Sequence, residues 1–362
     1  MSVIEHPARL PSLDGLRATS IALVLVDHFS RTRGFPVPVD VTEGWSEALG
    51  LLGVRVFFVI SGFLITNLLL AELQRRGSIH LTRFYFRRTL RIFVPYYTCL
   101  AIILVLQFAG LVSVTRGDVL HAVTYSMNYF SERSWDLGHA WSLSVEEQFY
   151  LLWPAVLLLV GRHRALWMAA GLLLLAPVLR LGYFYAFPDL VPYEVGYRFE
   201  TVADALASGC VLAGISGWLG QQPLYRRCLS SKLFIFVPVL VVYAALQAPS
   251  ARTYLLLGIT IQNLGIALCV AWCLVNCSGR IGRLLNSRPL VILGLMSYSV
   301  YLWQQPFTNP SSTATVSQFP LNVVLLAGAV LASYHLIERP ALACRSQLEA
   351  RLFGALKRAT VD

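Results

Sequence analysis

Hydrophobic residues in this chain are gathered into stretches long enough to cross a lipid bilayer. Each stretch approaches the roughly 20 residues that a helix needs to span the hydrocarbon core. The pattern predicts ten transmembrane helices, centred near Leu23, Val59, Leu104, Leu152, Leu174, Leu212, Val239, Leu268, Tyr301 and Leu326. No linker or fixed-period repeat separates them. We therefore expect an all-α integral membrane protein whose helices form one bundle, a single domain over residues 1–362.

The composition agrees with a chain that uses lipid as part of its solvent. Hydrophobic residues make up 56% and charged residues 13%, whereas soluble domains carry about 25% charged residues. The mean hydropathy is +0.63. These values exclude a disordered chain, a coiled coil and a secreted disulfide scaffold. The 7 cysteines lack the spacing of a metal or redox site, so we expect no metal.

The distribution of charge predicts the orientation of the bundle. The formal net charge is +10, from 29 basic and 19 acidic residues. When successive connections are assigned to alternating sides, 21 basic and 6 acidic residues fall on one side. The positive-inside rule makes that side, with both termini, cytoplasmic. Because topology accounts for the basic excess, we expect no nucleic-acid partner. The N-terminus lacks a cleavable signal pattern, so the first span should be retained.

The first predicted helix carries ionisable residues where a membrane helix rarely has them. Arg17 and His28 are eleven residues apart, about three turns, so they share a face, and Asp14 should pair with Arg17. The helical rise places His28 about 16 Å above Arg17, near mid-membrane. Intramembrane ionisable groups are functional candidates, and imidazole is the usual general base near neutral pH. The alternative is a structural histidine that is hydrogen-bonded to another helix.

The run WSLSVEEQFYLLWP, residues 141–154, opens the fourth predicted helix. Ser142 or Ser144 could cap this helix, with the two glutamates in its first turn. Glu146 is followed at i+4 by Tyr150, and such a polar pair on a buried face could orient a substrate hydroxyl or a histidine. No nucleophile-elbow motif surrounds the serines, which disfavours them as covalent nucleophiles.

Three arginines, Arg87, Arg88 and Arg91, lie between the second and third spans. Arg88 and Arg91 are three residues apart on a predicted helix, so both guanidinium groups can point the same way. Paired arginines suit phosphate groups, which they bind in a bidentate manner. The alternative is that these arginines only fix topology and bind anionic lipid headgroups.

Taken together, the motifs resemble those of the acyltransferase-3 family of bacterial integral-membrane O-acyltransferases. The resemblance covers residues 11–340, and six motifs occur in the family's order. They are Arg17 and His28 with ten residues between them, the segment 53–66 that contains Ser61, the RTLR sequence from Arg88 to Arg91, the run 141–154, SYSVYLW at 297–303 and LIERP at 336–340.

This resemblance implies transfer of an acyl group, most often acetyl, from cytoplasmic acyl-CoA to a hydroxyl. The acceptor would be an envelope polysaccharide, a lipid-linked oligosaccharide or a glycosylated metabolite, and the enzyme would lie among the lipids of the bacterial inner (cytoplasmic) membrane. Acetyl-CoA would be a co-substrate, and the enzyme would hold no permanently bound cofactor. The resemblance does not decide whether the chain forms an oligomer. The resemblance assigns the role of general base to His28 and acyl-CoA binding to Arg17, Arg88 and Arg91. From the residues themselves, we expect Asp14 to fix Arg17, Glu146 to place His28 or the acceptor, and Arg87 to join the donor site. We expect the acceptor, or the support of the catalytic groups, to involve Tyr150, Trp141, Ser142, Ser61 and Gln304.

Two departures from the family pattern matter. The family commonly has a histidine where this chain has Gln304, and glutamine cannot shuttle protons at neutral pH. Many relatives also carry an extra helix and a fused extracellular hydrolase-like domain, whereas the short basic tail 341–362 predicts a stand-alone form. Two other functions stay open: a multi-spanning transporter or flippase, and a non-catalytic acceptor-binding subunit, which Gln304 makes more credible.

Overall fold

The computed structural model describes residues 11–187, 192–246 and 250–359, and their regular structure is entirely helical. The expected start of the domain at 1–10 and the last residues of the tail, 360–362, lie outside the described residues. Ten long helices organise the described part: α1 Pro11–Ser30, α2 Trp45–Arg76, α3 Leu81–Phe108, α4 Ala140–Ala186, α5 Phe199–Leu219, α6 Phe236–Leu246, α7 Ile259–Val275, α8 Arg288–Phe307, α9 Leu321–Ser333 and α10 Arg339–Ala359.

Shorter segments connect these helices. The short α-helices are Val39–Thr42, Arg116–Val123, Trp135–Gly138, Pro192–Val195, Pro223–Ser230, Ala251–Thr253 and Arg280–Leu285. Single turns of 3₁₀-helix occupy Met127–Tyr129, Lys232–Ile235 and Thr315–Ser317, and π-helical turns occupy Tyr254–Gly258 and Tyr334–Glu338.

Every predicted span centre lies in one of the helices α1 to α9. Leu152 and Leu174 share α4, which is 47 residues long. A straight helix of that length would measure about 70 Å, more than twice the thickness of the hydrocarbon core. The helix is divided at Gly161, whose backbone is left-handed with φ 79° and ψ 165°. Glycine tolerates this conformation because it lacks a Cβ. The residues of α4 therefore form two helices that meet at Gly161.

Within the described residues, six helices are long and apolar enough to cross a membrane, or up to seven if one bent pair forms a single span. That pair joins Pro223–Ser230 to Lys232–Leu246 at 70°. Helices α1 and α8 do not meet this standard, and α1 contains the charged residues expected from the sequence. The chain is therefore an all-α, multi-pass membrane protein, while the count of ten spans and the cytoplasmic location of the termini stay predictions.

Helix α2 lies at the centre of the bundle, where it packs most extensively against α5 and α1. The approach to α5 is close because two glycines face backbone: a Cβ on Gly62 would overlap Leu206, and a Cβ on Gly209 would overlap Val59. Small residues at helix interfaces give membrane helices this proximity. Helix α1 also packs against α8, and α4 against α5.

The bundle has two ends with different chemistry. We call the end where α2 finishes at Arg76 and α3 begins at Leu81 the basic face. The opposite end, where α1 finishes at Ser30 and α4 begins at Ala140, is the cavity face. The predicted cytoplasmic tail is helical, because α9 continues through a π-helical turn into α10. Helix α10 then packs along α3 at the basic face.

Candidate active site

A cavity of about 220 Å³ opens between helix ends on the cavity face. It is formed by α1, α2, α4 and α8 together with the segment that leads into α4. Its lining residues are Val24, Asp27, His28, Arg31, Glu47, Gly50, Leu51, Val54, Arg133, Ser134, Trp135, Gly138, His139, Trp141, Tyr197, Tyr301 and Gln305. Of the predicted site residues, this lining includes His28 and Trp141.

His28 lies in the last turn of α1 and is held by contacts with two other segments. Its Nδ1 lies 3.0 Å from Oε1 of Gln304 on α8. Its ring lies tilted against Trp135, with 5.2 Å between the ring centroids. With the amide oxygen of Gln304 as acceptor, Nδ1 carries the proton and Nε2 keeps its lone pair. The ring is therefore oriented with Nε2 as the basic atom.

A charged group stands beside His28 at the mouth of the cavity. Oδ1 of Asp27 accepts from Nε of Arg31 at 3.0 Å, and Arg31 also lies 3.3 Å from Glu47. Burial lowers the pKa of Arg31, but Asp27 and Glu47 outweigh that effect and raise the pKa above its ordinary value. Oδ2 of Asp27 lies 3.9 Å from Nε2 of His28. Asp27 is thus neutralised by Arg31 and close enough to stabilise a protonated imidazole.

Aromatic side chains form one wall of the cavity. Trp141 stands against Tyr197, with 4.4 Å between the ring centroids. Above Tyr197 lies the guanidinium of Arg133, 4.5 Å from the ring centroid, and Arg133 pairs with Glu194 at 2.5 Å. The wall therefore offers flat apolar faces, and its cation is already neutralised.

A second histidine, His139, lines the same cavity. It is 5% exposed, and its ring meets Tyr301 edge to face, with 5.6 Å between the centroids. Nδ1 of His139 is buried and has no hydrogen-bond partner in the described part of the chain. The Tyr301 hydroxyl lies 2.6 Å from the Ser142 hydroxyl, and both lie within hydrogen-bonding distance of the backbone carbonyl of His139. The cavity thus contains two imidazoles.

A separate polar cluster lies deeper in the bundle, around Glu146 on α4. Oε1 of Glu146 accepts from the hydroxyl of Ser61 at 3.0 Å, and Oε2 accepts from Tyr150 at 2.9 Å. The guanidinium carbon of Arg88 lies 4.0 Å from the centroid of the Tyr150 ring, a cation–π contact. Glu146 was expected to help place His28 or the acceptor. Its hydrogen-bond partners among the described residues are Ser61 and Tyr150.

The depth of this cluster relative to the cavity follows from helix arithmetic. On three helices, a residue of the cavity lining lies five or seven positions from Glu146, from its partner Ser61 or from Arg17, which is about 7 to 11 Å along the axis. The pairs are Val24 and Arg17 on α1, Val54 and Ser61 on α2, and Trp141 and Glu146 on α4. In all three the deeper residue lies toward the basic face.

Four arginines converge between this cluster and the basic face, and we call Arg17, Arg88, Arg91 and Arg345 the arginine cluster. Arg91 interacts electrostatically with the other three. Arg88 and Arg345 each have a buried Nε without a hydrogen-bond partner among the described residues.

The nearby carboxylates are engaged by hydroxyls. Glu338 on the π-helical turn accepts from Ser299, and Glu146 accepts from Ser61 and Tyr150. In the described chain, Arg88, Arg91 and Arg345 form no ion pair. Guanidinium N–H groups therefore stay free to bind an anion.

Several expectations need correction. Arg87 was expected beside the acyl donor, but it pairs with Glu349 on α10. Ser142 and Ser144 do not cap α4, because the helix begins at Ala140 and both hydroxyls donate to backbone carbonyls. Asp14 is buried near the start of α1 and lies outside the cavity, and its predicted ion pair with Arg17 is not among those of the described residues.

Sequence reasoning missed His139, Trp135 and Arg345. His139 lies two residues before the run 141–154, so extending that motif in the N-terminal direction would have found it. Trp135 lies on a short helix whose position against α1 depends on the fold. Arg345 had been counted among the basic residues of the tail, and its position in the chain gave no sign that it lies near Arg91.

A family model described as an acyltransferase domain matches residues 10–338. The chain is 28% identical over 323 residues to the peptidoglycan O-acetyltransferase OatA of Listeria monocytogenes, covering 82% of this chain and 49% of the relative. It is 30% identical over 371 residues to the O-acetyltransferase OatA of Staphylococcus aureus, covering 92% of this chain and 57% of the relative.

The chain therefore spans about half the length of these curated relatives. No solved structure matches it significantly.

Proposed function

The chain belongs to the acyltransferase-3 family, and from that membership we propose that it moves an acetyl group from acetyl-CoA to a hydroxyl of a sugar-containing acceptor. The relative from Listeria monocytogenes is named for peptidoglycan, which supports a cell-envelope glycan as the acceptor. The multi-pass bundle would lie in the inner membrane of a bacterium, with its basic face toward the cytoplasm.

The acceptor binds in the cavity beside His28. The lining has four charged side chains, and both of its cations are already paired: Arg31 with Asp27 and Glu47, and Arg133 with Glu194. Trp141 and Tyr197 offer apolar faces to a sugar ring. Ligand sites of this kind combine aromatic walls with a few polar groups that fix orientation. The cavity therefore suits an uncharged sugar better than an anion.

His28 supplies the general base. Its Nε2 removes the proton from the acceptor hydroxyl as the oxygen attacks the carbonyl carbon of the acetyl thioester. When the carbon–sulfur bond breaks, the sulfur of coenzyme A leaves and takes the proton from the imidazolium. Gln304 holds Nδ1 and so fixes the tautomer throughout. Because glutamine needs no proton transfer for this task, its presence in place of a histidine is compatible with catalysis.

The donor binds from the basic face, with its phosphates on the arginine cluster. The thin arm of acetyl-CoA then runs along α1, α2 and α4 toward His28, which lies about 16 Å from Arg17 along α1. Glu146, Ser61 and Tyr150 line the beginning of that path. Their mutual hydrogen bonds hold the ring of Tyr150 in place against the guanidinium of Arg88. Asp14 belongs to the packing of α1 against α8, where its backbone contacts Gly294.

One observation carries the proposal. An oriented imidazole at an open cavity and a group of arginines without an ion pair among the described residues lie in one bundle, and His28 and Arg17 are displaced along the same helix, α1. This arrangement allows an anionic donor and a neutral acceptor to approach from opposite faces. It also explains why the base is far from the arginines.

The test is acetyl transfer by purified protein in lipid nanodiscs. Acetyl-CoA labelled in the acetyl group is incubated with peptidoglycan fragments, and labelled glycan is quantified by mass spectrometry. We expect transfer by the wild type and its loss in His28→Ala. His163→Ala is the matched control, since His163 is exposed and outside both regions.

Normal transfer by His28→Ala would refute His28 as the base. In a parallel assay with sealed proteoliposomes, movement of the glycan across the membrane without acetyl-CoA would instead favour a transporter. Acetyl-CoA binding without transfer to any glycan would favour a non-catalytic subunit.

A further inference from the structure

Helix α10, expected only as a basic tail, is fixed to α3 by a three-residue contact at the basic face. Nε of Arg83 donates to Glu349 at 2.6 Å, and Nε of Arg87 donates to the other oxygen of the same carboxylate at 2.8 Å. One glutamate thus binds two arginines that lie one turn apart on α3. Two charge-assisted contacts of this kind fix the register of one helix against the other.

That register determines which residues meet one turn further on. Arg345 precedes Glu349 by four residues on α10, and Arg91 follows Arg87 by four residues on α3. Each step is about 6 Å along its helix. The two helices are therefore antiparallel, and Arg345 lies where it interacts electrostatically with Arg91.

The position of Arg345 along the bundle suits a ligand that comes from water. Arg345 lies 24 residues after Leu321, and α9, the π-helical turn and α10 form one continuous candidate span, Leu321–Glu349. That separation is about 36 Å, more than the roughly 30 Å of the hydrocarbon core. A span whose hydrocarbon core begins at Leu321 therefore leaves Arg345 beyond the core, on the side of the basic face.

Two guanidinium groups in such proximity repel each other when no anion lies between them. Nε of Arg345 is buried and has no hydrogen-bond partner among the described residues, and the same holds for Nε of Arg88. The carboxylate on the same helix, Glu349, is already bound by Arg83 and Arg87. An anion that bridges the arginines would remove the repulsion and use these donors.

We propose that Arg345 of α10 is a phosphate ligand of the acyl donor, acting with Arg88 and Arg91, and that Glu349 positions the helix that carries it. This inference rests on the proposed function, because it takes a coenzyme A derivative as the donor. It adds a residue outside the six motifs and assigns a role in donor binding to helix α10. It also changes the role of Arg87 from donor ligand to helix anchor.

The first test measures binding of coenzyme A to the full chain in nanodiscs by calorimetry. Arg345→Ala should weaken binding about tenfold or more, because a charge-assisted contact to phosphate is lost. Arg345→Lys should recover part of the affinity, since lysine binds phosphate as a point charge. Arg351→Ala is the matched control, because Arg351 is an exposed arginine on the same helix.

The second test separates a donor ligand from a merely structural residue. Arg345→Ala should raise the KM for acetyl-CoA, with kcat within about twofold of the wild type. The reason is that the bound substrate and the transition state lose the same phosphate contact. Glu349→Gln should raise the same KM by a smaller factor, because it loosens the helix without removing a ligand. Thermal unfolding of each variant shows whether the bundle is intact.

Dephospho-coenzyme A identifies which phosphate is bound. If Arg345 binds the 3′-phosphate, Arg345→Ala loses affinity for coenzyme A but not for the dephospho form. If it binds the diphosphate, both affinities fall.

The outcomes distinguish the two proposals. If the wild type does not bind coenzyme A, the donor part of the proposed function fails. If the wild type binds and Arg345→Ala binds equally well, only the role of Arg345 fails. A loss of kcat without a change in KM, or a loss shared by Arg351→Ala, would also overturn it.

Discussion

The cavity at His28 and the arginine cluster lie in one bundle but differ in whether their charged side chains have partners of opposite charge. In the cavity, Arg31 is paired with Asp27 and Glu47, and Arg133 with Glu194, so each cation already has a carboxylate partner. In the arginine cluster, Arg88 lies on an aromatic ring and the nearby carboxylates accept from hydroxyls. An aromatic cavity whose cations are paired suits a neutral ligand, whereas unpaired guanidinium groups need an anion.

The difference teaches that burial alone does not identify the type of ligand. Both regions contain ionisable residues inside a membrane protein, which makes both functional candidates. What separates them is how many of those residues have already found a partner of opposite charge. If this comparison is correct, substitutions in the cavity change the chemical step or the acceptor, and substitutions in the cluster change the donor.

The largest effect is expected at His28. His28→Ala should lower kcat by about 100-fold or more, the usual contribution of general-base catalysis. Binding of coenzyme A should stay within about twofold of the wild type, since His28 makes no contact with the arginine cluster. Calorimetry together with initial rates checks both numbers. A parallel loss of donor affinity would mean that the two regions are not separate.

Arg88 should show the reverse behaviour. Arg88→Ala removes a cation from the cluster and should raise the KM for acetyl-CoA by about 10 to 100-fold. The KM for the acceptor should not change. Steady-state kinetics with each substrate varied in turn distinguishes the two. A rise in the acceptor KM alone would show that Arg88 contributes to binding of the acceptor and not of the donor.

Gln304 tests the orientation of the base. Gln304→Leu leaves Nδ1 of His28 without its partner, and we expect kcat to fall about tenfold because the tautomer is no longer fixed. Gln304→His should retain most of the activity, because an imidazole can accept from Nδ1. Equal losses in the two variants would show that the volume of the side chain matters rather than the hydrogen bond.

Trp141 tests the acceptor wall. Trp141→Ala removes a ring that stands against Tyr197, and we expect the KM for the glycan to rise about fivefold with the donor KM unchanged. Trp167→Ala is the matched control, since Trp167 is an exposed tryptophan on the second half of α4. If both variants behave alike, Trp141 contributes only to the stability of the bundle.

Glu146 gives the smallest effect, and its sign is informative. Glu146→Gln keeps a hydrogen-bonding group near Ser61 and Tyr150 but removes a negative charge close to Arg88. Donor affinity should therefore rise by about twofold to threefold, as expected for one charge in partly screened surroundings. A large loss of kcat would instead restore the prediction that Glu146 acts on His28 or the acceptor.

Much of the site could be predicted because membrane helices make polar residues conspicuous. His28, Arg17, Arg88 and Glu146 stand out against an apolar background, and the eleven-residue spacing on α1 predicts a shared face. The position of His28 near mid-membrane stays a prediction. The structure adds that His28 lies two residues before the end of α1 and opens onto the cavity face.

Partners across helices could not be predicted. The contact of His28 with Gln304 joins residues 276 positions apart, and the contact of Arg87 with Glu349 joins residues 262 apart. A single helix fixes only which residues share its own face. Which face meets which depends on packing among all the helices, including close approaches such as the one at Gly62.

The sequence by itself determined the solvent, the helical class, the family and most of the chemically active residue types of this protein. These properties depend on composition and on spacing within one helix, which are local quantities. Only the tertiary structure decided that the arginines of α1, α3 and α10 converge and that Asp27 is neutralised. It also decided that a second histidine shares the cavity and that α10 packs along α3, which brings Arg345 to Arg91. The physical reason is that electrostatic pairing depends on distances between helices, and those distances are set by the packing of the whole bundle.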